Sequence, residues 1–96
     1  METLEEMRKS IDNIDNAIVA MFAERFKVTD RVGYYKATHQ LPPKDPAREA
    51  VQYDRIIRLA ETYGLEAEFA KSYLGSMIER VIERHEAIAA TTDSES

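Results

Sequence analysis

Leu4, Met7, Ile11, Ile14, Ile18 and Met21 recur at alternating steps of three and four residues, the spacing of a heptad seam along one helix. Continuing the count brings Arg25, then Val28, Val32 and Tyr35, so the stripe persists with one charged intruder. No proline interrupts Leu4 to His39, and Gly33 is the only glycine there. The pattern predicts a helix of about 36 residues, roughly 54 Å long at about 1.5 Å per residue. A compact chain of 96 residues has a radius of gyration of only about 12–13 Å. Such a helix overhangs any core this chain can build, and packing against a second copy covers its seam most economically. The pattern therefore predicts a dimer of intertwined helices.

Gln40 to Pro46 reads as a loop, because each of Pro42, Pro43 and Pro46 biases its predecessor away from helix. Asp45 is placed to cap a second helix with Pro46 at its first position, where a missing N–H costs nothing. That helix carries Ile56, Ile57 and Ala60 and stops at Tyr63 and Gly64, glycine being the usual residue after a helix end. A third helix is expected from near Glu66 to about Ala90, drawing its apolar face from Phe69, Tyr73, Leu74, Met77, Ile78, Val81, Ile82 and Ile88. Gly75 within it costs about 1 kcal/mol relative to alanine and points to close helix packing there. No strand pattern and no internal repeat is present. The expected fold is all-α, with three helices per chain in one domain over residues 1–96. Its core spans about residues 4–90, and residues 91–96 are expected as a disordered tail.

Composition narrows the class. The chain is 44% hydrophobic and 32% charged, with no cysteine and a net charge of −5. Disulfides and thiolate metal sites are thereby excluded, and the two separated histidines, His39 and His85, speak against a zinc site, so no metal is expected. The acidic balance disfavours nucleic acid and anionic membranes as partners. No apolar run approaches the roughly 18 residues that span a bilayer, and the acidic N-terminus lacks a signal pattern. A cytoplasmic protein is expected. Any anion it binds must be met by cations concentrated in a sheltered place.

Arg25 sits at a seam position where an aliphatic residue belongs, and Arg8, Asp15 and Lys36 lie one step beyond seam residues. Arg25 and Lys36 are separated by about 16 Å and roughly 20° of helix face, a gap two long side chains can close around a small anion. Arg8 stands about 25 Å before Arg25 and can reach that region only from an antiparallel partner. Unpaired buried charge is costly, so this clustering predicts a dianionic ligand. A snorkelling seam flank, or a structural ion pair between Arg25 and Asp15 of the partner, is the plainer reading of the same residues. Arg48 and Glu49 on the first turn of the second helix are equally readable as a solvated face, and His85 as a boundary histidine. Met7, Met21 and Met77 are core positions.

Taken in order, these residues resemble the all-helical (AroQ-type) chorismate mutases over roughly residues 4–89. The landmarks are Met7-Arg8-x-x-Ile11-Asp12-x-Ile14-Asp15, then Ala23-Glu24-Arg25, Val32-Gly33-x-x-Lys36, Pro42-x-x-Asp45-x-x-Arg48-Glu49 and Gly64-Leu65. Each is weak alone, and their order and spacing together are specific. The resemblance implies a helical homodimer with two active sites, each built from both chains, converting chorismate to prephenate without a cofactor, in the shikimate pathway towards aromatic amino acids. It implies that Arg25, with Arg8 of the partner, binds the substrate carboxylates, and that Lys36 contacts the ether oxygen and a carboxylate. Asp45 and Glu49 then hold the ring hydroxyl, with Arg48 near the carboxylate end or supporting the loop. The third helix departs from the family pattern. Val81 stands where some members carry serine, and the position that donates to the ether oxygen falls on His85, or on Glu86 if the helix turns by one residue. That departure leaves isochorismate-pyruvate lyase and aminodeoxychorismate mutase as sibling activities. A non-catalytic helical dimerisation module is the rival of another class, and Arg25 on the apolar stripe argues against it.

Overall fold

The computed structural model describes the backbone of residues 1–95 and the side chains of residues 1–92. Three helices follow one another, α1 (Leu4–Thr38), α2 (Pro46–Tyr63) and α3 (Ala67–Glu95), and the described residues contain no strand. α1 starts in a capping box: the Thr3 hydroxyl accepts from the Glu6 N–H at 3.1 Å, and the Glu6 carboxylate accepts from the Thr3 N–H at 3.4 Å. It ends where Gln40 turns left-handed (φ 58°) and the Leu41 N–H reaches back to the Lys36 carbonyl at 2.8 Å. The predicted cap of α2 is present, with the Asp45 carboxylate accepting from the Arg48 N–H at 3.1 Å and Pro46 opening the helix. Gly64 closes α2 at φ 70°, a conformation L side chains rarely adopt, while the Leu65 N–H bonds the Ala60 carbonyl at 2.8 Å.

α3 runs to Glu95, past its expected end near Ala90. Ala89 and Ala90 are strong helix formers, and the Thr91 and Thr92 hydroxyls satisfy themselves on the Ala87 and Ile88 carbonyls, each at 3.0 Å. Residues 91–95, read from sequence as a tail, are thus helical; Ser96 lies outside the described residues.

α3 is the central element, with α1 and α2 each packed against it. Ala60, Ala70, Leu74 and Met77 form the small core. The Tyr53 hydroxyl lies 3.2 Å from where a Cβ on Gly75 would stand, which is the close α2–α3 approach that glycine predicted. Against α1, Phe22 meets Tyr73 with ring centroids 5.8 Å apart. Arg84 forks onto the Asp30 carboxylate, its Nε 2.8 Å from Oδ1, and its guanidinium lies 5.0 Å from the centre of the Phe26 ring.

The first half of α1 is exposed at every residue from Leu4 to Met21. Leu4, Met7, Ile11, Ile14, Ile18 and Met21 are all exposed, Met21 at 63%. The chain measures 63 × 27 × 15 Å with a radius of gyration of 17.3 Å, against about 12–13 Å for a compact chain of this size. The predicted overhang is real, and its entire apolar seam stands uncovered. Among the described residues, no helix is long and apolar enough to cross a membrane.

Candidate active site

Where α1 and α2 diverge over α3, a cleft with about 410 Å³ of empty space, part of it open to solvent, is lined by Arg25, Thr29 and Lys36 from α1 and by Asp45, Arg48, Glu49 and Gln52 from α2. Ile78, Val81 and Ile82 of α3 supply an apolar wall. Helix spacing explains the assembly: Arg25, Thr29 and Lys36 share one face of α1, while Asp45, Arg48, Glu49 and Gln52 lie on the first turns of α2. Five of the seven predicted site residues therefore converge in one chain.

Arg25 is half-buried, and its Nη1 is fully shielded from solvent with no hydrogen-bond partner; Glu49 Oε2 is in the same condition. Such groups are costly to leave unmet, and the two residues that carry them, one a donor and one an acceptor, line the same cleft. The Lys36 ammonium donates to the Pro43 carbonyl at 3.2 Å, which draws it towards the loop and leaves further N–H groups for a ligand. Asp45 serves as helix cap through Oδ1 and lines the cleft as well. Cationic Arg25, Lys36 and Arg48 and acidic Asp45 and Glu49 thus line one cleft whose α3 wall is apolar.

The remaining two predicted residues stand apart. Arg8 is exposed on the overhang and lines none of the clefts that contain Arg25. An apolar groove of Ile14, Ala17, Ile18, Met21, Phe22 and Tyr73 runs along α1 and ends at Arg25, so it leads from the overhang into the site. His85 borders an adjoining cleft with Arg25, Lys36, Arg48 and Val81, yet it is 3% exposed. Its Nε2 lies 2.8 Å from the Thr29 carbonyl; a carbonyl only accepts, so Nε2 carries the proton. Nδ1 is buried without a partner and can donate only when the ring is an imidazolium. Glu86, the alternative, is exposed.

Gln52 and Thr29 were missed from sequence. Gln52 follows Arg48 by four residues and Glu49 by three, the spacing that places all three on one helical face, so the signal was available. Thr29 follows Arg25 by four residues and carried the same mark.

Comparison with known proteins agrees with this geometry. The chain is 35% identical over 79 residues to the chorismate mutase of Methanocaldococcus jannaschii, covering 82% of this chain and 80% of that protein. It is 43% identical over 65 residues to the bifunctional chorismate mutase/prephenate dehydratase of Aquifex aeolicus, covering 67% of this chain but only 18% of that longer protein. It is also 27% identical over 77 residues to the 4-amino-4-deoxychorismate mutase of Streptomyces pristinaespiralis, covering 80% of this chain and 60% of that protein. The pattern defining chorismate mutase type II matches residues 7–86, which takes in every residue assigned to the cleft, and the chain belongs to that family.

Proposed function

We propose that this protein is a chorismate mutase, acting in the cytoplasm as a homodimer in which Arg8 of each chain completes the other chain's site. The observation that carries this reading is the shielded, unpartnered Nη1 of Arg25, set in one cleft with Lys36, Arg48 and an equally unpartnered Glu49 carboxylate oxygen. A small dianion bearing a hydroxyl group answers both deficits. The uncovered seam of α1 supports the dimer. An antiparallel copy laid along the groove that ends at Arg25 brings Arg8 of the partner across a distance its own chain, about 25 Å away along the helix, cannot close.

In the rearrangement one C–O bond of chorismate breaks while one C–C bond forms within the same molecule. No nucleophile and no net proton transfer is needed. Arg25, Arg48 and the partner's Arg8 grip the carboxylates and hold the folded, reactive conformer. Asp45 and Glu49 accept from the ring hydroxyl. Lys36 faces the ether oxygen and stabilises the negative charge that grows there as the bond stretches. His85 stands behind the wall and adds a donor towards that oxygen only as an imidazolium, through Nδ1.

A sibling reading has one observation in its favour: the similarity to the Streptomyces protein, together with a Glu49 carboxylate that suits an amino group as well as a hydroxyl. Incubating the purified protein separately with chorismate, isochorismate and 4-amino-4-deoxychorismate, and identifying products by NMR, decides among them. Prephenate formed fastest establishes the mutase. Preferred turnover of the amino substrate, or salicylate plus pyruvate from isochorismate, replaces it, and no turnover of any substrate leaves a helical binding module.

A further inference from the structure

Gln52 is a polar cleft residue to which the sequence pattern gave no role. It lines the main cleft with Arg25, Lys36 and Glu49, the adjoining cleft with Val81 and His85, and a third hollow with Arg55 and Leu59. In all three it stands beside Arg25 and Arg48. The side chain is half-buried, and its carboxamide has no hydrogen-bond partner among the described residues. A free carboxamide beside cationic side chains can offer its carbonyl oxygen to a guanidinium and its NH₂ group, with two donors, to a bound ligand.

The bound dianion leaves one need unmet. Its carboxylates fall to the arginines and its hydroxyl to Asp45 and Glu49, but the ether oxygen has Lys36 alone as a permanent donor. α3 offers little there, since Ile78, Val81 and Ile82 are apolar and the Nε2 proton of His85 is committed to the Thr29 carbonyl. We infer that Gln52 donates an amide N–H to the ether oxygen of the substrate, opposite Lys36, as the second donor at the breaking bond. This rests on the mutase reading above. A neutral donor is well suited to that position. Its hydrogen bond strengthens as the oxygen gains charge, and it adds no further cation to bind substrate and transition state alike.

The test compares wild type, Gln52→Leu and Gln52→Glu with chorismate as substrate, each checked for helical content and thermal unfolding. Gln52→Leu keeps the bulk and removes the donor; kcat is expected to fall about tenfold to a hundredfold with KM changed less than about threefold. Gln52→Glu is nearly isosteric. As a carboxylate it repels the developing charge, and as a carboxylic acid it donates again, so its kcat relative to wild type should climb as pH falls. A higher KM with unchanged kcat in Gln52→Leu, or a ratio of Gln52→Glu to wild type that is flat with pH, overturns the assignment while the mutase reading stands. Absence of prephenate formation by wild type overturns both.

Discussion

The Nε2 of His85 donates to the backbone carbonyl of Thr29 at 2.8 Å, across the contact between α3 and α1. The ring gets this close because the facing residue is Gly33: a Cβ there would stand 2.7 Å from His85 Cδ2 and 2.9 Å from Ile88 Cδ1. The same bond fixes the height of α1 over α3 just one turn beyond Arg25, and so ties the placement of the cleft's central cation to the packing of two helices.

From that contact, Gly33→Ala is expected to destabilise the fold. Overpacking costs about 1–3 kcal/mol, while the better helix propensity of alanine returns up to about 1 kcal/mol. Urea unfolding should show a lower midpoint with an unchanged slope. Adding His85→Ala makes room for the new methyl group, so the double variant should lose less than the two single losses together. Strict additivity would mean that the two residues do not press on each other.

Lys36→Ala removes a preorganised donor from the reacting bond. A loss of about 2.7–4 kcal/mol in transition-state stabilisation, or at least a hundredfold in kcat, is expected. Sedimentation should show the assembly intact. A severalfold effect would place Lys36 away from the ether oxygen.

Arg8 and Arg25 belong to different chains of one site in the proposed dimer. Arg8→Ala and Arg25→Ala should each be nearly inactive. When the two are unfolded together and refolded as a mixture, mixed dimers regain one intact site each, so about a quarter of the wild-type sites return by random pairing. No recovery, in a mixture that demonstrably exchanges subunits, would show that Arg8 acts within its own chain or not at all.

The Asp30 carboxyl is held below its usual range, first by the hydrogen bond from Arg84, with the charges of Arg84 and His85 acting in the same direction and burial opposing them. A carboxyl depressed in the folded state adds stability above its unfolded pKa of about 3.9, and that stability drains away as pH falls through the lower folded value. Wild type should therefore lose stability on acidification below about pH 5. Asp30→Asn should be less stable at neutral pH, and its difference from wild type should shrink in acid. A constant difference in thermal unfolding between pH 7 and pH 3 would remove the ion pair from the account.

Much of the architecture was legible because local rules act along the chain. The seam from Leu4 to Met21, the Asp45–Pro46 start and the Gly64 stop each depend on neighbours within one or two turns, and the structure places all three where they were expected. α3 runs past its expected end near Ala90: the polar stretch from Thr91 reads as a frayed tail, whereas Thr91 and Thr92 bond back to their own helix. At the site, Arg25 and Lys36 betrayed themselves as cations on an apolar face. Gln52 was passed over although its spacing puts it on the face of Arg48 and Glu49, because an uncharged side chain on an open turn does not by itself point to a ligand.

By itself the sequence determined three helices, a seam too long for one chain to cover, and a set of charges ordered as in chorismate mutase type II. These follow from spacing, and spacing is set by the geometry of a single helix. Tertiary structure decided which charges share a cleft, that His85 gives its Nε2 proton to Thr29, and that Gln52 lines the same cleft as Arg25 and Arg48. Those facts join residues far apart in the chain, on helices whose relative height and rotation are set by side-chain packing, as at Gly33, and not by any repeat along one helix.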